Sequence, residues 1–221
     1  MNEFICRTIF DRALKALGLE LDPLVKQRLW DFFALLMAQN KRINLVSSRQ
    51  PLSTQVVVHL VDSLTPLLWP DWPSEGHALD LGSGGGLPAL PLAIARPGWN
   101  WDLAEATGKK ILHLRETIST LGLNQVKTVH EYLRPALSGQ VIFYDLITAR
   151  AVASLSRLIP LAAPRLAPGG RFLAYKGPRG EDEYRGASND LKKWRLTLER
   201  RMDLVLPLIK ARRTLFLFVK E

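Results

Sequence analysis

Apolar positions recur at helical spacing through roughly the first seventy residues, then give way to short apolar runs alternating with helical patterns. Phe4, Ile9, Phe10, Ala13, Leu14 and Leu17 predict a helix ending at Gly18. Leu29, Phe32, Phe33, Leu36 and Met37 predict a second, starting near Asp22-Pro23. A loop, NKRINLVSSRQP, separates these from a third apolar helix holding Val56, Val57, Leu60, Leu64 and Leu67, and the link WPDWPSEG closes the region. From residue 77 the period changes. Strands are expected at 78–81, 99–104, 125–129, 143–148, 171–175, 197–206 and 213–219. Helices are expected after Pro88, over 108–121, over 154–166 up to APGG, and over 188–194, with KGPRGEDE as a loop. Alternation of this kind builds a Rossmann-like α/β fold with a mainly parallel seven-stranded sheet. The short connection 207–210 makes the last two strands an antiparallel hairpin. The expected organisation is an N-terminal helical extension, 1–73, and an α/β domain, 74–221, in one structural unit.

Composition narrows the setting. The chain has 221 residues, 47% of them hydrophobic, enough for one full core with a helical appendage. No run of about 18 apolar residues occurs, and charges interrupt MNEFICRTIFDRALKALG too often for a signal peptide, so a cytoplasmic location without membrane attachment is expected. Cys6 has no partner for an internal disulfide, and four histidines show no metal-ligand spacing; Cys6 reads as a core residue and no metal is expected. A net charge of +9 is high for an enzyme of small neutral metabolites and favours a polyanionic partner. Lys109, Lys110 and Arg115 share one helix, while Lys192, Lys193, Arg195, Arg200, Arg201, Lys210, Arg212 and Arg213 crowd the last third, interrupted by Glu181, Asp182 and Glu183. A merely soluble basic surface is the competing explanation.

The chemistry concentrates in HALDLGSGGGLPALPLAIA, residues 77–95, where a strand meets a helix through four glycines in five residues. At the carboxyl edge of a parallel sheet such a turn lets backbone approach a ligand. A dinucleotide fingerprint fails because Leu87 stands where its third glycine belongs, and a P-loop fails because no Lys or Thr lies between Gly76 and Asn100. What remains, Asp80-x-Gly82-x-Gly84-x-Gly86, resembles the cofactor loop of class I S-adenosylmethionine-dependent methyltransferases. Glu105, ending the next strand 23 residues past Gly82, stands where such sheets place an acid for the ribose hydroxyls of an adenosine. A solvated carboxylate at a strand end is its bland alternative.

Four segments in order, NKRINLVS (40–47), HLVDSL (59–64), DLGSGGGLPALPLAI (80–94) and RAVASL (150–155) with LAPGGRFLAYKG (166–177), make the chain similar to the glucose-inhibited division protein B (RsmG-type) family. That family methylates guanine N7 in bacterial 16S ribosomal RNA. Two positions depart from its pattern: Gln39 replaces a usual Trp and Glu105 a usual Asp. The resemblance implies cofactor contacts from Gly82, Gly84, Leu87, Leu133, Arg134, Arg150 and Glu105, with 16S ribosomal RNA or the small ribosomal subunit as partner. His59 and Asp62, alone more often a local hydrogen-bonded pair, gain a site-shaping role from it. Lys176, otherwise a strand-end residue, becomes a candidate for the site and for an RNA phosphate, and Asn44 either caps a turn or belongs to the site. Guanine N7 carries an in-plane lone pair that attacks a methyl group without losing a proton, so no general base is expected. The base must be unstacked or lie in an accessible turn, because the A-form major groove is too narrow for a pocket to enter. Alternatives are a class I methyltransferase for a small metabolite or protein, a noncatalytic RNA-binding module, and, least favoured, a nicotinamide oxidoreductase.

Overall fold

The computed structural model describes residues 3–132, 134–135 and 142–221. The strands are β1 (Gly76–Leu81), β2 (Trp99–Glu105), β3 (Val126–His130), β4 (Tyr144–Arg150), β5 (Leu166–Lys176), β6 (Leu196–Leu206) and β7 (Ala211–Lys220). They form one sheet in the order β3-β2-β1-β4-β5-β7-β6. Every pairing from β3 to β5 is parallel, while β7 runs antiparallel to both β5 and β6. The sheet departs in opposite directions from the β1/β4 junction, and the crevice above such a junction, at the strands' carboxyl ends, is where these folds bind ligands. Because β7 is antiparallel, its first residues lie at that same edge: Thr214 pairs with Lys176, the last residue of β5.

The first helices are α1 (Glu3–Leu17) and α2 (Pro23–Asn40). Asp22 starts α2 by accepting the Leu24 amide at 2.7 Å, and Pro23 supplies a preset φ in the first turn. The third expected helix is a composite. It runs as α3 (Leu52–Val56), a π-helical turn (Val57–Val61), α4 (Asp62–Leu64) and a 3-10 turn (Thr65–Leu68). The later helices are α5 (Ala89–Ala95), α6 (Gly108–Thr120), α7 (Leu155–Ala162), α8 (Gly180–Gly186) and α9 (Ser188–Lys193).

Two sequence expectations need correction. The helix expected over 154–166 stops at Ala162, gives way to a 3-10 turn over Ala163–Arg165, and β5 then begins at Leu166, so APGG lies within the strand. Pro164 lacks the amide that would continue the helix. The stretch KGPRGEDE is not all loop: α8 starts at Gly180, and Glu181, Asp182 and Glu183 fall in its first turn, where carboxylates complement the helix dipole.

Alternation along the strands sorts side chains onto two faces. Ala78, Trp101, Leu103, Leu146, Leu173, Tyr175, Leu215 and Leu217 join one core with α1, α2, the composite segment and α5. Leu79, Leu81, Ile147, Ala149, Phe172, Ala174, Phe216 and Phe218 join the other with α7 and Ala187. The same parity places Asp80, Thr148, Arg150 and Arg213 on the first face, under the N-terminal helices. Leu36 of α2 is fully buried there, and a Cβ on Gly85 would come within 2.8 Å of its Cδ1. The helical extension thus supports the glycine turn.

Leu36→Ala removes that support and is expected to lower the unfolding free energy by about 2–5 kcal/mol in urea titrations. Leu24→Ala, at a side chain 68% exposed, should stay within about 0.5 kcal/mol of the parent. Similar losses for the two variants would contradict this assignment of the core.

Candidate active site

The turn after β1 is held from beneath. Ser83 donates its amide to the Ala104 carbonyl of β2 at 3.0 Å and its hydroxyl to the Asp80 carbonyl at 3.1 Å. Gly82, Gly84 and Gly86 all adopt positive φ, at 68°, 54° and 85°. Their surroundings differ. A Cβ on Gly82 would approach Val152 Cγ2 at 2.9 Å and one on Gly86 would strike Leu90 at 2.4 Å, whereas one on Gly84 would meet only the Gly82 carbonyl oxygen, at an unstrained 3.8 Å.

Glu105 is buried, and its two carboxylate oxygens accept the Gly84 and Thr107 amides, each at 2.9 Å. Burial pushes this carboxyl's pKa up, but the bonds from Thr107 and Gly84 and the nearby Lys110 outweigh it and hold the pKa below the usual carboxylate range. The carboxylate therefore locks the turn as an anion. It is directed into the loop amides and is not among the residues lining the cleft.

Above the turn lies a cleft of about 430 Å³, lined by Gly82, Gly84 and Leu87 on one side and by His59, Asp62, Arg150, Tyr175, Lys176 and Arg213 among others. Asp62 is its electrostatic centre. Its carboxylate, 3% exposed, accepts Arg150 Nη1 at 3.2 Å and Arg213 Nε at 3.1 Å on each oxygen. Arg150 Nη1 also donates to the Val58 carbonyl at 2.9 Å, within the π-helical turn. Tyr175 donates its hydroxyl to the Ser63 carbonyl at 2.9 Å. Three side chains, Arg150, Tyr175 and Arg213, thus fasten the composite helix to β4, β5 and β7.

His59 and Asp62 do not form a hydrogen-bonded pair. His59 is 7% exposed, its Nδ1 is buried without a hydrogen-bond partner, and burial together with the Arg150 charge lowers its pKa to about 3. It is a neutral imidazole at physiological pH. Asp80 is wholly buried, with Oδ1 accepting the Thr148 hydroxyl at 2.6 Å and Oδ2 unpartnered; burial raises its pKa to about 7 against the pull of Thr148, Ser83 and Arg150.

The other sequence candidates distribute as follows. Lys176 lines the cleft but is committed to Glu183 at 2.8 Å and the Ala153 carbonyl at 2.7 Å, so it meets no phosphate in this arrangement. Arg134 is exposed, its carbonyl accepting Arg165 Nη1 at 3.1 Å, and it does not line the cleft. Leu133 lies outside the described residues. In the first family segment the turn is organised by Asn40, whose Oδ1 accepts the Leu45 and Val46 amides and whose Nδ2 donates to the Val46 carbonyl. Gln39, at the departure from the family pattern, donates to Glu116 of α6 at 3.0 Å. Sequence reading counted Arg213 only as surface charge. Its parity with Leu215 and Leu217 was the signal that it faces the helical side.

Two further facts bound the chemistry. Among the described residues no group of three or more His, Cys, Asp and Glu side chains is placed to hold a metal, and no helix is long and apolar enough to cross a membrane.

Comparison with known proteins gives concordant results. The family model of GidB, described as rRNA small subunit methyltransferase G, matches residues 25–205. The chain is 42% identical over 181 residues to the ribosomal RNA small subunit methyltransferase G of Sorangium cellulosum, covering 81% of this chain and 75% of that one. Identity to the same-named protein of Lactobacillus johnsonii is 33% over 216 residues, covering 96% and 90%. Among solved structures, a methyltransferase from Pyrococcus furiosus superposes with a TM-score of 0.58 at 15% identity, covering 85% of this chain and 94% of that one, which bears on the fold alone. The glycine turn, the seven-stranded sheet ending in an antiparallel hairpin and these matches lead to one conclusion: the chain belongs to the GidB family of rRNA small subunit methyltransferase G proteins.

Proposed function

We propose that this protein transfers the methyl group of S-adenosylmethionine to N7 of a guanine in 16S ribosomal RNA, acting in the cytoplasm on that RNA or on the small ribosomal subunit. The observation that carries the reading is the glycine turn opening into the cleft at Gly84, with Glu105 fixing its shape from behind. A Cβ at Gly84 would fill space that a ligand needs, so the residues present fit the cofactor that the family implies. Methylation of a small metabolite is disfavoured by family membership and by a net charge of +9.

On this reading Gly82, Gly84 and Leu87 receive the cofactor along the turn, and Glu105, outside the cleft lining, serves it by holding the Gly84 and Thr107 amides in place. Arg150 stands at the β4 end of the same crevice. When bound, S-adenosylmethionine supplies a methyl group activated by a sulfonium. The chain's residues then need only orient and enclose, because guanine N7 surrenders no proton. The cleft agrees with that demand: His59, with its pKa lowered to about 3, binds a proton only weakly, and Asp62 is held by two guanidiniums, so neither is disposed as a general base. The helical segment 1–73 completes the site over the sheet segment 74–221, and we read the two as one functional unit.

The direct test is methyl transfer from labelled S-adenosylmethionine to small subunits from a strain lacking this gene, followed by nuclease digestion and mass spectrometry. Labelled 7-methylguanosine at one position is expected; label in another nucleoside, or none, would overturn the assignment. Gly84→Asn tests the turn, since asparagine tolerates the left-handed conformation and projects into the cleft without a new charge. It should weaken cofactor binding in calorimetry by about 100-fold, a loss of about 2.7 kcal/mol, while the melting temperature stays close to the parent's. Gly82 is the poorer position, because a side chain there also presses on Val152.

Asp80 gives a stability test. Its folded pKa of about 7 lies above the reference 3.8, so between these values the native state keeps a proton that the unfolded chain has released, and stability falls as pH rises through that window. His59 acts oppositely, losing stability as pH falls from 6.5 toward about 3, but its contribution cancels when wild type and Asp80→Asn are compared. The stability deficit of Asp80→Asn should therefore shrink from about pH 5 to about pH 8. A deficit that is constant or grows with pH would show that Asp80 is ionised throughout.

A further inference from the structure

Charges around the cleft do not balance. Four cations line it: Lys110, Arg150, Lys176 and Arg213. Lys176 is neutralised by Glu183, but Arg150 and Arg213 share the single carboxylate of Asp62. The wall facing the glycine turn therefore retains one uncompensated positive charge in a partly buried setting, whereas Lys110, on the turn's side, lies beside the Glu105 anion. A sulfonium and an ammonium accompany the one carboxylate of S-adenosylmethionine, so loading the cleft makes it more positive still. Electrostatics in a site of low polarity calls for an anion there.

The two arginines are not equivalent. Arg150 is 12% exposed and gives Nη1 to both Asp62 and the Val58 carbonyl, with Nε and Nη2 unpartnered among the described residues, so the two differ in exposure and position rather than in free donors. Arg213 is 20% exposed; Nε is given to Asp62 and Nη1 to the Arg212 carbonyl at 3.0 Å, while Nη2 has no hydrogen-bond partner among the described residues. Arg213 also enters from the start of β7, beside the exposed Arg212 and Lys210. Of the two it is the more exposed, and the one that stands next to the open basic edge of the cleft. The Asp62 carboxylate fixes its guanidinium, so little side-chain entropy is lost when the free edge meets a phosphate.

We propose that Arg213 is a substrate-positioning residue that holds a phosphodiester of the target RNA strand at the cleft, with Asp62 as its orienting partner. The inference rests on the RNA-methylating reading above and adds the residue that anchors the strand. The competing anion with the same chemistry is the cofactor's own carboxylate, and the test separates the two.

Binding of a small-subunit RNA fragment would be followed by fluorescence anisotropy across a potassium chloride series for wild type, Arg213→Gln and Arg213→Lys, with cofactor affinity measured by calorimetry. Glutamine keeps a donor for Asp62 but loses the charge; lysine keeps the charge. Arg213→Gln should flatten the slope of log affinity against log salt by about 0.7–0.9, the contribution of one phosphate, and raise the KM for RNA about tenfold. Cofactor affinity should stay within about twofold. Arg213→Lys should restore the slope. If the glutamine variant does not fold, citrulline at position 213, which keeps the Nε–H donor to Asp62 without the charge, replaces it with the same expectation. An unchanged slope in the uncharged variant overturns the proposal, and so does a loss confined to cofactor affinity, which would assign the charge to the cofactor carboxylate. A wild type that neither binds nor methylates this RNA overturns the functional reading and the inference together; a wild type that does both, beside a glutamine variant of equal slope, removes only the inference.

Discussion

Asp62 is where the two halves of the chain become one object. A carboxylate removed from water is costly unless its charge and lone pairs are met, and losing one partner of such a buried group typically costs about 3–5 kcal/mol. Here the compensation comes from the sheet, through Arg150 at the end of β4 and Arg213 at the start of β7. The helical segment carrying Asp62 can therefore dock in only one position, with its π-helical turn against the strand ends and the Val58 carbonyl within reach of Arg150. Apolar packing beneath it is extensive but not directional. The ion pairs supply the direction, and they lie in the wall of the cleft.

A second constraint works from the opposite side. The glycine turn must stay open, and Glu105 holds it by accepting two backbone amides, while Leu36 closes the space behind Gly85. Both supports are buried and neither adds bulk to the cleft. His59 and Asp80 then sit in the same low-polarity region with opposite consequences: burial keeps the imidazole uncharged and makes the carboxyl reluctant to ionise. Asp80 does not line the cleft, so the cleft itself is rich in fixed positive charge and carries a neutral imidazole of low pKa, which suits a nucleophile that has no proton to give.

Much of this was legible in the sequence because the signals were local. The strand-turn-helix pattern around Gly82 and the alternation in β6 and β7 follow from spacing alone, and so does the place of Glu105 at the end of the next strand, though its bonds to the amides of Gly84 and Thr107 do not. What sequence reading missed depends on partners distant along the chain. Arg213 and Asp62 are 151 residues apart, and a charge in a basic region carries no mark of the carboxylate it will meet. Lys176 was readable as a strand end, but its burial by Glu183 depends on where α8 packs, and α8 itself hides behind glycines and a proline that favour a loop reading. The π-helical turn is likewise a tertiary outcome. The apolar run VVHLV predicts a helix, and nothing in it specifies that the hydrogen-bond register widens there.

The same separation explains why the first helices cannot be treated as an accessory to the cofactor fold. A sheet with this glycine turn is a general device for holding a nucleoside, and nothing in β1 or β2 says what receives the methyl group. His59 and Asp62 come from the helical extension, and Arg213 from the terminal hairpin that is antiparallel to the rest. On the proposed reading the acceptor side of the cleft is built from the two ends of the chain, while the centre of the chain builds the donor side. Changes in the acceptor can then arise by altering the ends against a constant centre, provided that the Asp62 carboxylate keeps enough positive partners to stay buried. That proviso ties selection of the acceptor to stability, because the residues that we propose face the substrate are the ones that fasten the extension to the sheet.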